Sequence, residues 1–186
     1  MKKKTMEELA RVSCEEYKKI RKIPVAVVLD NVRSLNNIGS VFRTADAFLI
    51  EKIYLCGITA TPPSPEIHKT ALGAENSVEW EYAENTLDIV ELLKSEGYKI
   101  CSIEQVKDSI SLFDFNVEKD EKYAIIFGHE VKGVQQEVVD ASDYCIELPQ
   151  YGTKHSLNVA VTAGIVMWEM FSKYCCGYLL ELNLKT

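Results

Sequence analysis

Nowhere does the chain hold the roughly eighteen consecutive apolar residues that a membrane-spanning helix needs. Its most apolar segment, residues 159–171, is interrupted by Glu169, so a soluble protein is expected. Met1 is followed by three lysines, but Met6, Glu7 and Glu8 come next in place of an apolar core. The start therefore does not read as a secretory signal, and a cytoplasmic location is the expectation. There is no Cys-x-x-Cys and no His/Cys cluster, and His68, His129 and His155 lie far apart, so no metal is expected. Six cysteines without an export signal read as buried free thiols, and adjacent residues such as Cys175 and Cys176 rarely bridge each other. Glycine-rich phosphate cradles are missing as well. Neither Gly-x-Gly-x-x-Gly nor Gly-x-x-x-x-Gly-Lys-Ser/Thr occurs, which disfavours the usual dinucleotide-binding and P-loop folds.

A generally basic surface is also absent. The formal net charge is −7, which argues against a grip on nucleic acid over the whole surface. Residues 1–22 nevertheless carry a net +4, leaving −11 on the rest. Such an arm is compatible with phosphate contact, and fits a solvated helix face better.

What is present is an alternation of strand and helix patterns. With 186 residues, 47% hydrophobic, one core is the default. Thr5 to Glu8 has the form of a capping box, and the apolar spacing that follows predicts a helix stopped near Pro24. Val25–Leu29 is a continuous apolar run suited to a strand buried on both faces. Ile38, Val41, Phe42, Ala45 and Phe48 repeat at the helical period, and residues 53–55 restore a strand. Residues 61–65, with three prolines, read as a rigid loop. Further on, 86–96, 135–141 and 156–173 read as helices, and 99–103, 123–127 and 144–148 as strands. The prediction is an α/β domain with a mainly parallel sheet.

Three segments carry polar residues where strands end. In the first, residues 29–46, Asn37 is suited to cap the helix, Gly39 permits close approach, and Arg43 follows about a turn later, within reach of an anion at the helix start. In the second, residues 125–134, a buried strand breaks at Gly128 and delivers Glu130 to the loop. In the third, residues 146–164, Pro149 and Gly152 force an irregular loop. Ser156 is placed to cap the next helix, Asn158 sits in its first turn, and Ala160, Ala163 and Gly164 form a small-residue face. Each segment alone has an ordinary structural explanation, as helix cap, glycine turn or tight crossing.

Taken in order, Asn37-x-Gly-x-x-x-Arg43, Phe127-Gly-x-Glu-x-x-Gly133 and Leu148-Pro-x-x-Gly-x-x-x-Ser-Leu-Asn158 resemble the three motifs of the SpoU/TrmH family of SPOUT-class RNA 2′-O-ribose methyltransferases. The resemblance runs from about Val25 to Phe171. It implies a single domain with a trefoil knot, residues 24–174, between an N-terminal basic helical extension, 1–23, and a C-terminal tail, 175–186. It also implies S-adenosyl-L-methionine as cofactor, tRNA or rRNA as substrate and a homodimer sharing the site, with the small-residue face as its contact. Arg43, Asn37, Glu130 and Asn158 would be the catalytic set. Ile103, Glu104, Phe127, Gly128, Ile146, Leu148, Ser156 and Leu157 would hold the cofactor. His129 and Gln150 depart from the residues most often found at those positions, and the flanks are short for a family in which larger basic extensions grip whole tRNA. The rival implied function is an RNA-binding or assembly protein of the same fold without catalysis.

Overall fold

Strand β1 (Ile23–Asp30) is apolar up to its last residue, Asp30, because both of its faces are covered. In the computed structural model, which describes residues 2–5 and 12–178, Val25, Val27 and Leu29 enter one core while Ala26 and Val28 enter a second, as the two-residue period of a strand requires. Around β1 the sheet adds β2 (Ile50–Cys56), β3 (Glu79–Ala83), β4 (Tyr98–Ile103), β5 (Ile110–Ser111), β6 (Lys122–Phe127) and β7 (Tyr144–Glu147). The order across it is β3-β2-β1-β6-β4-β7-β5, and every strand pairing is parallel. The sheet is thus wholly parallel where a mainly parallel one was predicted.

Helices cover both faces. On one side lie α1 (Cys14–Lys19), α2 (Leu35–Ala47), α3 (Pro65–Ala71) and α6 (Val159–Tyr178), contributing Tyr17, Phe42, Ile67 and Met167 among others to the first core. On the other lie α4 (Thr86–Ser95) and α5 (Gln136–Ala141), which place Val90, Leu93 and Val138 in the second. A parallel sheet needs this double cover, since each crossover lays a helix on a face. No helix among the described residues is long and apolar enough to cross a membrane.

Several sequence expectations change. The first described helix starts at Cys14, where Ser13 and Glu16 form the capping box. Residues 6–11, with most of the box predicted at Thr5, lie outside the described residues, as do residues 179–186 of the expected tail. Pro24 does not stop a helix. It is the second residue of β1, where pairing with β2 shifts between Ile23 and Ala26, and its missing N–H is tolerated. The proline-rich loop conceals α3, for which Pro65 is a favourable first residue and Ser64 the cap. Cys56, Cys101 and Cys175 match the buried expectation, whereas Cys14 is exposed and Cys145 half-buried.

Candidate functional site

After β1 the chain turns through Asn31, at φ 57°, and enters α2. The cap is Ser34, whose hydroxyl accepts from the Asn37 N–H at 3.4 Å, so the role expected of Asn37 falls three residues earlier. Asn37 is left free to bond sideways. Its Nδ2 donates to Glu130 Oε1 at 3.1 Å, and its Oδ1 accepts from Asn158 Nδ2 at 3.1 Å. Glu130 also accepts from the backbone N–H of Ser34 at 2.9 Å and of Arg33 at 3.1 Å, which sets a carboxylate against the positive end of α2. Partial burial alone would push the Glu130 carboxyl up. The N–H donors of Ser34, its own backbone, Arg33 and Asn37 outweigh that and hold it below the usual carboxylate range.

Asn158 closes the relay from α6. Its Oδ1 accepts from the Ala160 N–H at 2.9 Å and the Val161 N–H at 3.4 Å, so Asn158 is the cap expected of Ser156, which lies two residues ahead in the loop. Three of the four predicted catalytic residues, far apart in sequence, thus form one hydrogen-bonded chain from the β6 loop through α2 to α6.

Beside this chain a cleft of about 660 Å³ opens at the carboxyl ends of β4, β6 and β7, where open α/β sheets bind ligands. All eight residues expected to hold a cofactor, Ile103, Glu104, Phe127, Gly128, Ile146, Leu148, Ser156 and Leu157, line it, together with Glu130 and Asn158. One wall is the loop from Gly128 to Val134, folded so tightly that the His129 and Gly133 backbones bond each other in both directions. A Cβ on Gly128 would stand 2.1 Å from the Gly133 carbonyl carbon and the Val134 nitrogen. His129 Nδ1 accepts from the N–H of Val131 at 3.0 Å and of Lys132 at 3.3 Å, so it reinforces the same turn. Glu104 locks the loop from the β4 side, accepting from the Val134 N–H at 3.1 Å and from the Gln105 N–H at 2.8 Å. Gln105 donates in turn to the His155 carbonyl at 3.2 Å, across to the loop before α6.

Arg43 stands apart. It is exposed, does not line the cleft, and forms no hydrogen bond or ion pair among the described residues. As the ninth residue of α2 it is more than two turns into the helix, not one. It lies about 9 Å along the axis and about 120° around from Asn37. Gly39 does permit close approach, and what approaches is α3: a Cβ there would meet Thr70 Oγ1 at 2.1 Å and the Ile67 carbonyl oxygen at 2.3 Å. The small-residue face of α6 also serves the chain's own packing, with Ala163 in the core and a Cβ on Gly164 standing 4.0 Å from Thr44 of α2. The exposed side of α6 instead presents Val161, Ile165 and Trp168. Asp30 and Gln135, which anchor the far end of the cleft loop, were not singled out from the sequence. The available signal was an acid closing an otherwise apolar strand.

The profile of the SpoU rRNA Methylase family matches residues 24–168. A protein of Borreliella burgdorferi named as an uncharacterized tRNA/rRNA methyltransferase is 30% identical over 144 residues, covering 77% of this chain and 62% of that protein. An AdoMet-bound rRNA methyltransferase from Sinorhizobium meliloti superposes with a TM-score of 0.75 at 26% identity, over 83% of this chain and 59% of that one. The A. aeolicus TrmH/SpoU tRNA modifying enzyme, 24% identical, shares the fold with a TM-score of 0.79 over 92% and 88% of the two chains. The chain spans about three fifths of the length of the curated relatives it matches, 62% and 63% for two of them.

Proposed function

Because the chain belongs to the SpoU rRNA methylase family, we propose that it transfers a methyl group from S-adenosyl-L-methionine to a ribose 2′-OH of tRNA or rRNA, as a cytoplasmic homodimer. The observation that carries the reading is the convergence of the three motif segments, with Asn37 joined in one relay to Glu130 and Asn158, which line the cleft. The cleft fits the cofactor chemically. Its volume of about 660 Å³ lies in the range of small-molecule sites, and Ile103, Phe127, Ile146, Leu148 and Leu157 give apolar walls for an adenine. Glu104, Glu130 and Glu147 line it against one lysine, Lys132, with no ion pair among them in the described residues, and this net negative lining favours a cationic ligand such as a sulfonium.

When bound, the cofactor supplies an activated methyl group that needs no acid to assist its departure. The protein's share is then alignment and removal of the hydroxyl proton. Asn37, Glu130 and Asn158 have their hydrogen-bonding groups engaged with one another and with the starts of α2 and α6. They act in this reading as positioning residues. Arg43 holds the phosphate next to the reacting ribose. It keeps its proton too firmly to serve as the base, so the substrate phosphate assists deprotonation. Its place away from the cleft of its own chain accords with a site completed by a second copy, for which Val161, Ile165 and Trp168 offer an apolar contact beside α2. The trefoil knot of the family belongs to the same reading.

Two measurements test it. Saturating S-adenosylmethionine or S-adenosylhomocysteine is expected to raise the melting temperature, and an unmoved melting curve removes the cofactor. Mapping 2′-O-methyl groups in total RNA with and without the protein is expected to reveal one or a few protein-dependent sites. Cofactor binding without any such site would favour the RNA-binding or assembly alternative.

A further inference from the structure

Asp30, the last residue of the central strand, is fully buried and has no ion-pair partner among the described residues. A buried carboxylate without a counter-charge is costly unless hydrogen bonds replace its hydration. Here four do. Oδ1 accepts from Asn31 Nδ2 at 2.9 Å, Thr86 Oγ1 at 2.7 Å and Gln135 Nε2 at 2.7 Å, while Oδ2 accepts from the Gln135 backbone N–H at 2.8 Å. An asparagine could serve the three donors that converge on Oδ1. Its NH2 would then confront the Gln135 N–H, donor against donor, so only a carboxylate presents acceptors on both sides. The contact that requires an acid is therefore the one to the Gln135 backbone.

That contact sits at the end of the cleft loop. Phe127, just before Gly128, pairs in the sheet with Leu29, and Gln135, just after Val134, is held by Asp30. Both ends of the segment 128–134 are thereby tied to two consecutive residues of β1. We propose that Asp30 is a positioning residue which, by gripping the Gln135 N–H, sets the closed shape of the loop 128–134 and so the shape of the ligand cleft. The span between is fixed by Glu104 at Val134 and by Glu130 at α2, so three carboxylates, from β1, from just past β4 and from the loop itself, hold the stretch 128–135. Asp30 also reaches the end of β2, because Asn31 Oδ1 accepts from the Ile58 N–H at 3.1 Å.

The binding readout of this proposal rests on the cofactor reading above; the exchange readout does not. Asp30→Asn deletes the Oδ2 acceptor, and Gln135→Pro deletes both Gln135 donors, the backbone N–H and the side-chain Nε2, at a residue whose φ of −56° a proline adopts without strain. In cofactor-free protein, amide exchange of residues 128–134 is expected to rise about tenfold or more in either variant, the scale of losing a buried bond to a charged acceptor, with β2 and β3 unchanged. S-adenosylhomocysteine affinity is expected to fall by a similar factor. The double variant should be no worse than Gln135→Pro alone, since that single variant already loses the bond that Asp30→Asn breaks. Wild-type exchange in 128–134 in both variants would overturn the proposal. So would exchange raised evenly through the sheet, which marks a purely structural acid. If Asp30→Asn does not fold, Gln135→Pro breaks the same backbone bond with the acid intact, and Gln135→Ala, which loses only the Nε2 bond, separates the side-chain share. A wild-type protein that binds no cofactor would sink the cofactor reading, and the exchange result would still decide the role of Asp30.

Discussion

An arginine that meets a reacting phosphate and one that decorates a helix differ in what their loss does. Arg43 has no partner in its own chain among the described residues, so its removal should cost the fold little. Arg43→Ala and Arg43→Lys are expected to keep the wild-type melting temperature and cofactor affinity. Single-turnover methyl transfer to a verified RNA should fall by about two orders of magnitude or more, since lysine keeps the charge and loses the planar fork. A rate within a few-fold of wild type would remove Arg43 from the reaction. Glu130 makes the opposite prediction. Its carboxyl is held below the ordinary value of 4.5, so its stabilisation is fully present above that pH and is lost as pH falls through the lowered value. The stability gap between wild type and Glu130→Gln, about 1–2 kcal/mol for hydrogen bonds to a partly exposed charge, should be constant from pH 6 to 9 and shrink only in acid. Denaturant melts across that range check it, and a gap already closing near neutrality would contradict the relay.

At the scale of elements, the sheet depends on how closely α2 and α3 approach. Gly39→Ala would drive a methyl into the Ile67 carbonyl oxygen, 2.3 Å away, and backbone cannot swing aside as a side chain can. The expected loss is about 1–3 kcal/mol, the usual cost of overpacking, read as a lower denaturation midpoint; an unchanged midpoint would mean that the two helices are not in such contact. The sequence made Gly39 legible as a point of close approach but not its neighbour, because the prolines at 62, 63 and 65 masked α3. Strand β3 escaped for another reason. It is an edge strand whose Glu79, Glu81 and Tyr82 stay exposed, so it lacks the apolar run that betrayed β1 and β6. The starts of α4, α5 and α6 were visible to within three residues, yet the capping residues of α2 and α6 were misassigned. Ser34 and Asn158 compete with Asn37 and Ser156 as equally good caps, and only the tertiary partners of the two asparagines decide between them.

For the molecule as a whole, the exposed Val161, Ile165 and Trp168 on one helix predict the oligomeric state. Wild-type protein is expected to sediment as a dimer at micromolar concentration, and Ile165→Glu as a monomer with unchanged circular dichroism; a monomeric wild type would refute the shared site. At this scale the α/β class was legible because buried parallel strands are nearly all apolar. The convergence of the three polar segments was legible only through their resemblance to a family, since no local pattern tells which strand ends become neighbours. That same strand order has a consequence during synthesis. Val25 finds its partner Tyr123 only 98 residues further along the chain. At cellular elongation rates the newly made β1 therefore waits roughly 5–20 s, or longer, with one apolar edge open. A ribosome carrying this nascent chain presents an unpaired strand over that interval, and binding of a holdase chaperone should peak after β2 emerges and decline once Phe127 has cleared the exit tunnel.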